Sequence, residues 1–265
     1  MSIRYYEVHA FTDRLFAGNP AGVCLLDEPL PEERMQEIAR ENNLPATAFV
    51  LDRGGFFDLR WFSPSAQLEL CGHGTLASGH VLFEHIGRQE KTLMFQSRGG
   101  ELKVERAEGR IVLDFPARAM ASCEPPPLLI DSLGDKPQRV LLGGDFMAVF
   151  ERPEQIVALR PKLEGLAQLP VRGIIVTAPG KDCDFISRFF APQRGITEDP
   201  VTGSTHCALA PYWSKRLGKT KLHARQVSQR GGELFCEDRG ERVNIGGKAV
   251  TYLEGTLRSP VPDGR

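Results

Sequence analysis

The chain repeats itself, and a repeat of domain size limits the fold more than any single motif does. Arg60-Trp61-Phe62-Ser63-Pro64 returns as Arg188-Phe189-Phe190-Ala191-Pro192, 128 positions on (188 − 60). Gly72-His73-Gly74-Thr75-Leu76-Ala77 opens a stretch that ends at Gly87. Gly203-Ser204-Thr205-His206-Cys207-Ala208 opens its counterpart, which ends at Gly218, at an offset of 131 (203 − 72). Arg98-Gly99-Gly100-Glu101-Leu102 recurs as Arg230-Gly231-Gly232-Glu233-Leu234, and Arg110-Ile111-Val112-Leu113 as Arg242-Val243-Asn244-Ile245, both at 132 (230 − 98 and 242 − 110). Chance recurrence of Arg-Gly turns would not keep one order at a nearly constant offset. The 265 residues therefore read as two copies of one unit joined near Glu124-Pro125-Pro126-Pro127. The expected lobes are 1–120 and 121–265, with the last strand a candidate to return to the first lobe and an active site in the cleft between them.

Each copy reads as strands, one central helix, then more strands. Asp58 to Phe62 and Phe185 to Phe190 are short, aromatic-rich and bounded by Gly or Pro, as strands are. Thr75 to Ile86 is apolar on nearly every side, and its twin carries Leu209, Tyr212, Trp213 and Leu217, so both read as buried helices. Met35, Ile38 and Ala39 share one face of an expected amphipathic helix over Glu32 to Asn42. Hairpin-like strands follow at Leu93–Gln96, Leu102–Glu105 and Ile111–Phe115. The expected fold class is α+β, with two pseudo-symmetric lobes, each a curled, mostly antiparallel sheet around a central helix.

Composition narrows the function classes. Lys plus Arg is 33 and Asp plus Glu is 34, a formal charge of −1, which argues against a nucleic-acid backbone or an anionic membrane as partner. No window approaches about 18 consecutive apolar residues, and no signal-type stretch opens the chain. The six cysteines include no C-x-x-C pair, so free thiols and a cytoplasmic location are expected.

The two glycine-rich helix starts carry the chemistry. Gly72, Gly74 and Gly203 let a ligand approach the backbone. The unpaired N–H groups and partial positive charge of a helix N-terminus suit a carboxylate or a developing enolate. Gly72-His73-Gly74-Thr75-Leu76-Ala77 also fits G-x-G-x-x-A, yet it follows the polar segment Ser63 to Glu69, and Gln96 and Ser97 stand where a dinucleotide site needs an acid. His73 and His80 lie roughly 10 Å apart along a helix, too far for one metal ion, so neither metal nor cofactor is expected. Ser204 with His73 and Asp199 lacks the G-x-S-x-G context of a hydrolase.

The segments Phe11-Thr12-Asp13, Gly18-Asn19-Pro20, Leu70-Cys71-Gly72-His73-Gly74-Thr75 and Glu198-Asp199-Pro200-Val201-Thr202-Gly203-Ser204-Thr205-His206-Cys207 resemble the PhzF-like phenazine-biosynthesis family from about Tyr5 to Leu257. The resemblance implies a diaminopimelate-epimerase-like fold and a homodimer. It also implies cofactor-independent isomerisation of a small carboxylated substrate, of the trans-2,3-dihydro-3-hydroxyanthranilate type. It places His73 and Asp199 at the proton transfer, with Gly72, Gly74, Gly203, Ser204, Thr205 and Asn19 around the substrate. Where the family usually reads Asn-Leu-Ser-Glu-Thr-Ala-Phe-Val, with the glutamate as general acid/base, this chain has Asn43-Leu44-Pro45-Ala46-Thr47-Ala48-Phe49-Val50. Ala46 cannot titrate, and such a group is worth ~10²–10⁴ in rate. Cys71 is the first substitute, a thiol at a helix start, as in the related epimerases and racemases. Glu41 and Glu69 read equally as surface charges, Cys207 and His206 as core. Two alternatives follow: a diverged, non-catalytic small-molecule binding protein, and a Cys71-dependent racemase or epimerase.

Overall fold

The computed structural model describes residues 2–258. Their contacts form two compact units, one drawn from Met1–Asp114 and Gly246–Arg265, the other from Phe115–Ile245. The first opens with β1 (Ser2–Ala10), β2 (Asn19–Leu26), α1 (Glu32–Asn42), β3 (Ala46–Asp52), β4 (Phe57–Phe62) and β5 (Gln67–Leu68). It continues through α2 (Gly72–His80), β6 (Thr92–Ser97), β7 (Gly100–Ala107) and β8 (Arg110–Pro116). The second holds β9 (Ala121–Ser122), α3 (Pro127–Leu133), β10 (Arg139–Leu142), β11 (Phe146–Val149), α4 (Pro153–Ala158) and α5 (Leu163–Leu166). After these come β12 (Ile174–Pro179), β13 (Phe185–Phe190), α6 (Gly203–Leu217), β14 (Lys221–Gln226), β15 (Gly232–Asp238) and β16 (Arg242–Gly247). β17 (Ala249–Arg258) then pairs antiparallel with β1, from Ser2↔Arg258 to Ala10↔Ala249.

The repeat seen in the sequence is a repeat of strand pairing. In the first unit β1 is antiparallel to β2, β2 parallel to β3, β3 antiparallel to β4, β4 parallel to β6 and β6 antiparallel to β7. In the second, β10 is antiparallel to β11, β11 parallel to β12, β12 antiparallel to β13, β13 parallel to β14 and β14 antiparallel to β15. The matching Arg-aromatic segments fall on β4 and β13. Arg60 lies over the Phe62 ring at 5.4 Å, and Arg188 over Phe190 at 4.9 Å.

Each unit has an inner helix, buried in α2 up to Gly79 and mostly buried in α6 up to Ser214, with Lys215, Arg216 and Leu217 exposed, so the last turn of α6 is not the core that its apolar Leu217 suggested. Every residue of α2 from Gly72 to Gly79 is buried, and the helix packs against β1, β2, β3, β7 and β17. The outer face of the first unit is covered by α1, whose Met35 and Ala39 pack with Phe49, Leu51 and Phe62. Because side chains alternate along a strand, Ala46, Ala48 and Val50 of β3 take the opposite face, the side of α2. In the second unit α3, α4 and α5 contribute Leu129, Leu133, Ile156 and Leu166 to a core with Val140, Phe146 and Val176.

Two local features depart from a regular helix. Beyond His80 the chain makes a π-turn over Val81–His85, with Ile86 N–H donating to the Val81 carbonyl at 3.1 Å. The wider turn brings residues five apart to one side. The His80 and His85 Nε2 atoms accordingly lie 3.0 and 2.7 Å from the Thr251 hydroxyl. In α6, Pro211 has no N–H to give the Cys207 carbonyl. The Arg118 N–H donates to that carbonyl instead, at 2.9 Å, which fixes the Ala117–Arg118 segment against the helix.

Candidate functional site

At the start of α2, Cys71 is the N-cap in an extended conformation, and its side chain makes no cap hydrogen bond. The Cys71 carbonyl accepts the first helical bond from the Thr75 N–H at 3.0 Å and a second from the Thr75 hydroxyl at 2.7 Å. The thiol faces the imidazole of His73, with Sγ 3.5 Å from Nδ1 and 3.8 Å from Nε2. Desolvation pulls the His73 pKa down to about 4, so the ring is neutral at pH 7. A bound carboxylate would push that value back up.

Gly74 completes the group. A Cβ there would sit 2.8 Å from Trp61 Cδ1, 3.1 Å from Cys71 Sγ and 3.3 Å from Trp61 Nε1. The glycine therefore lets indole and thiol close over the first helical turn. Trp61 is 1% exposed, and its Nε1–H has no acceptor among the described residues. A buried donor without an acceptor costs about 1–3 kcal/mol, so a ligand that supplied one would gain by it. Asn19 begins β2 opposite Ala10 and is fully buried, next to Gly18, where φ is +66° and a Cβ would fall 2.3 Å from the Ala10 carbonyl oxygen, so no side chain is admitted. Ala46, the first residue of β3, is 0% exposed.

At the start of α6, Thr202 is the N-cap, and its hydroxyl turns away from the helix to donate to the Asp199 carboxylate. Gln226, from β14, locks this turn. Its Oε1 accepts from the Thr202 N–H at 2.8 Å, and its Nε2 donates to the Asp199 carbonyl at 2.8 Å. The Ser204 hydroxyl accepts from Arg172 Nη1 at 3.0 Å. Arg172 in turn gives Nε–H to Asp145 Oδ1 at 2.8 Å and a second N–H to Oδ2, and lies over the Phe189 ring at 5.2 Å. Since Ser204 accepts from a guanidinium, its own proton points elsewhere, beside a fixed positive charge.

The structure thus groups Cys71, His73 and Gly74 in one unit, and Asp199 and Ser204 at the α6 start in the other. Thr205 is 2% exposed and spends its hydroxyl on the Thr202 carbonyl at 2.8 Å. His206 stacks on Phe185 at 5.8 Å and donates Nδ1–H to the Thr202 carbonyl at 2.9 Å, as a core histidine does. Burial pushes the Cys207 thiol up to about 11, and Glu41 and Glu69 are exposed. Trp61, Asp145, Arg172 and Gln226 were not picked out by the sequence reading. Only Trp61 had a signal, as part of the repeated Arg-aromatic segment. Among the described residues no cluster of three or more His, Cys, Asp or Glu is placed to hold a metal, and no helix is long and apolar enough to cross a membrane.

Residues 8–255 match the family of phenazine biosynthesis-like proteins. An uncharacterized isomerase of Pseudomonas aeruginosa is 48% identical over 257 residues, 97% of this chain and 99% of that one. The crystal structure of a PhzF-family phenazine biosynthesis protein from Enterococcus faecalis superposes with a TM-score of 0.96 at 44% identity, over 98% of this chain and all of that one. A predicted epimerase of Pseudomonas aeruginosa, at 18% identity and a TM-score of 0.73 over 97% of this chain and all of that one, shares the fold. With a match across nearly its whole length and the two-unit, epimerase-like architecture, the chain belongs to the phenazine biosynthesis-like, PhzF-type family.

Proposed function

We propose that this protein is a cofactor-independent isomerase that takes a proton from one carbon of a small carboxylated substrate and returns one to another position. Substrate and product then have the same atoms. The observation that carries this reading is the contact of Cys71 Sγ with His73 Nδ1 at the start of a buried helix. Thiol and imidazole stand side by side as the proton-relaying pair, and a substrate carboxylate bound beside them would raise the His73 pKa towards the range in which the ring can take the thiol proton and leave a thiolate as base for a C–H group. The first turn of α2 offers backbone N–H groups to negative charge that develops on the substrate. In this reading Asp199 holds a substrate ammonium group, Ser204 and the N–H groups of Gly203 and Thr205 hold the carboxylate, and Asn19 and Gly72 border the substrate. The protein works as a homodimer in the cytoplasm. Substrates of the dihydro-hydroxyanthranilate type and cyclic amino acids are the first to test. Incubated in D₂O, a substrate should gain deuterium at carbon, and His73→Ala or Cys71→Ser should abolish the exchange. Absence of exchange with every such acid, in a folded protein, would refute the reading.

One observation favours a second reading. Ala46 places an inert methyl on the α2 side of β3, where its relatives' motif would carry a carboxylate, as in a binding protein without catalysis. Ala46→Glu separates the two. Gain of isomerase activity on dihydro-hydroxyanthranilate, from a wild type that binds it without turnover, supports the binding protein. An active wild type excludes it.

A further inference from the structure

We propose that the second unit carries a separate binding site for a small polyanion bearing two or more phosphate or carboxylate groups. The site is a cavity of 690 Å³ between α6, β10 and the Ala117–Ser122 segment, within the usual range for small ligands, roughly 300–1,000 Å³. Four cations line it from three stretches of chain: Arg118, Arg139, Lys215 and Arg216. No Asp or Glu is among the lining residues, and among the described residues none of the four makes an ion pair with a carboxylate. Some arginines elsewhere do meet carboxylates, as Arg53 with Asp58, Arg60 with Glu32 and Arg106 with Glu84; what sets this cavity apart is four cations on one set of walls with no acid among them. The formal charge of the chain is −1, so this cluster does not reflect a generally basic protein.

Converging like charges repel, and the repulsion is relieved when an anion is shared among them. Guanidinium groups fit the paired oxygens of phosphate and carboxylate, and Lys215 adds a point charge. The walls are built before any ligand arrives. Arg216 Nη1 donates to the Tyr212 hydroxyl at 3.1 Å, and its guanidinium lies over the Trp213 ring at 5.1 Å. Arg118 is fixed by its own N–H on the Cys207 carbonyl, the acceptor that Pro211 leaves open. Met120 and Leu141 supply an apolar floor for the body of the ligand. None of these residues belongs to the groups around Cys71, His73, Asp199 and Ser204, so the site stands whether or not the isomerase reading does.

Pyrophosphate and citrate are the probes, titrated calorimetrically at matched ionic strength into wild type, Arg139→Gln, Lys215→Gln and a control, Lys103→Gln on β7. Arg139, Lys215 and Lys103 are exposed, and thermal denaturation verifies that each variant is folded. Expected is saturable binding of at least one probe, weakened at least about tenfold by each pocket substitution, unchanged in the control and falling with added salt. No binding by wild type, or equal binding by the pocket variants, overturns the proposal. So does a change in sedimentation of the pocket variants without probe, which would make the cavity a contact between copies.

Discussion

Replacing Arg172 by glutamine tests how the α6 start is held. Asp145 is 4% exposed and receives two N–H groups from the guanidinium. Without the cation the carboxylate stays buried and uncompensated, a change that costs about 3–5 kcal/mol for fully buried pairs. The Arg172 side chain is 22% exposed, so water reaches one partner and the low end applies, about 3 kcal/mol. The Arg172 N–H still donates to the Gly144 carbonyl at 3.2 Å, so the local backbone stays tethered. Asp145→Asn in the same chain removes the stranded charge and should restore about 2 kcal/mol, a coupling in the range seen for contacting pairs. Urea denaturation of wild type, both single variants and the double variant closes the cycle. A loss under about 1 kcal/mol for Arg172→Gln, or a double variant no more stable than Arg172→Gln, would refute the argument.

Gly74→Ala should lower stability by about 1–2 kcal/mol, the overpacking against Trp61 and Cys71 exceeding the ~1 kcal/mol gain in helix propensity; a melting curve reads the sign. His206 is held to a pKa of about 4 against 6.5 when unfolded, so below about pH 6.5 the unfolded chain binds a proton that the folded one does not. Stability should therefore fall as pH drops from 6.5 towards 4, by up to about 1.4 kcal/mol per pH unit from this residue, and His206→Gln should flatten that slope in denaturant titrations. His73, also depressed to about 4, should shift upward by NMR titration when a carboxylate binds beside it, and an unmoved resonance would place the anion elsewhere.

What the sequence disclosed was local or repeated. Helix α1 runs over Glu32–Asn42 as expected, because Met35 and Ala39 recur at helical spacing toward a core. The buried α2 was readable from its apolar surface, but the π-turn after it was not. That turn joins His80 and His85 to Thr251, more than 160 positions away. Likewise Cys71 and His73 lie two residues apart and invite attention together. Arg172 reaches Asp145 and Ser204 across 27 and 32 positions, and no pattern in a single sequence marks such a contact. The face of Ala46 followed from strand alternation once β3 was placed.

The pairing of β1 with β17 has a consequence for how the molecule is made on the ribosome. Residues of the second unit are continuous from Phe115 to Ile245, so all its partners are available once that stretch has emerged. The first unit emerges earlier, yet β1 must wait for β17 to cover its second edge along Ser2–Ala10. Meanwhile it offers nine residues of unsatisfied backbone to any passing strand, the usual opening for mispairing. Synthesis order and completion order are therefore reversed, and a ribosome stalled before Ala249 should hold a finished second unit beside an unsealed first one.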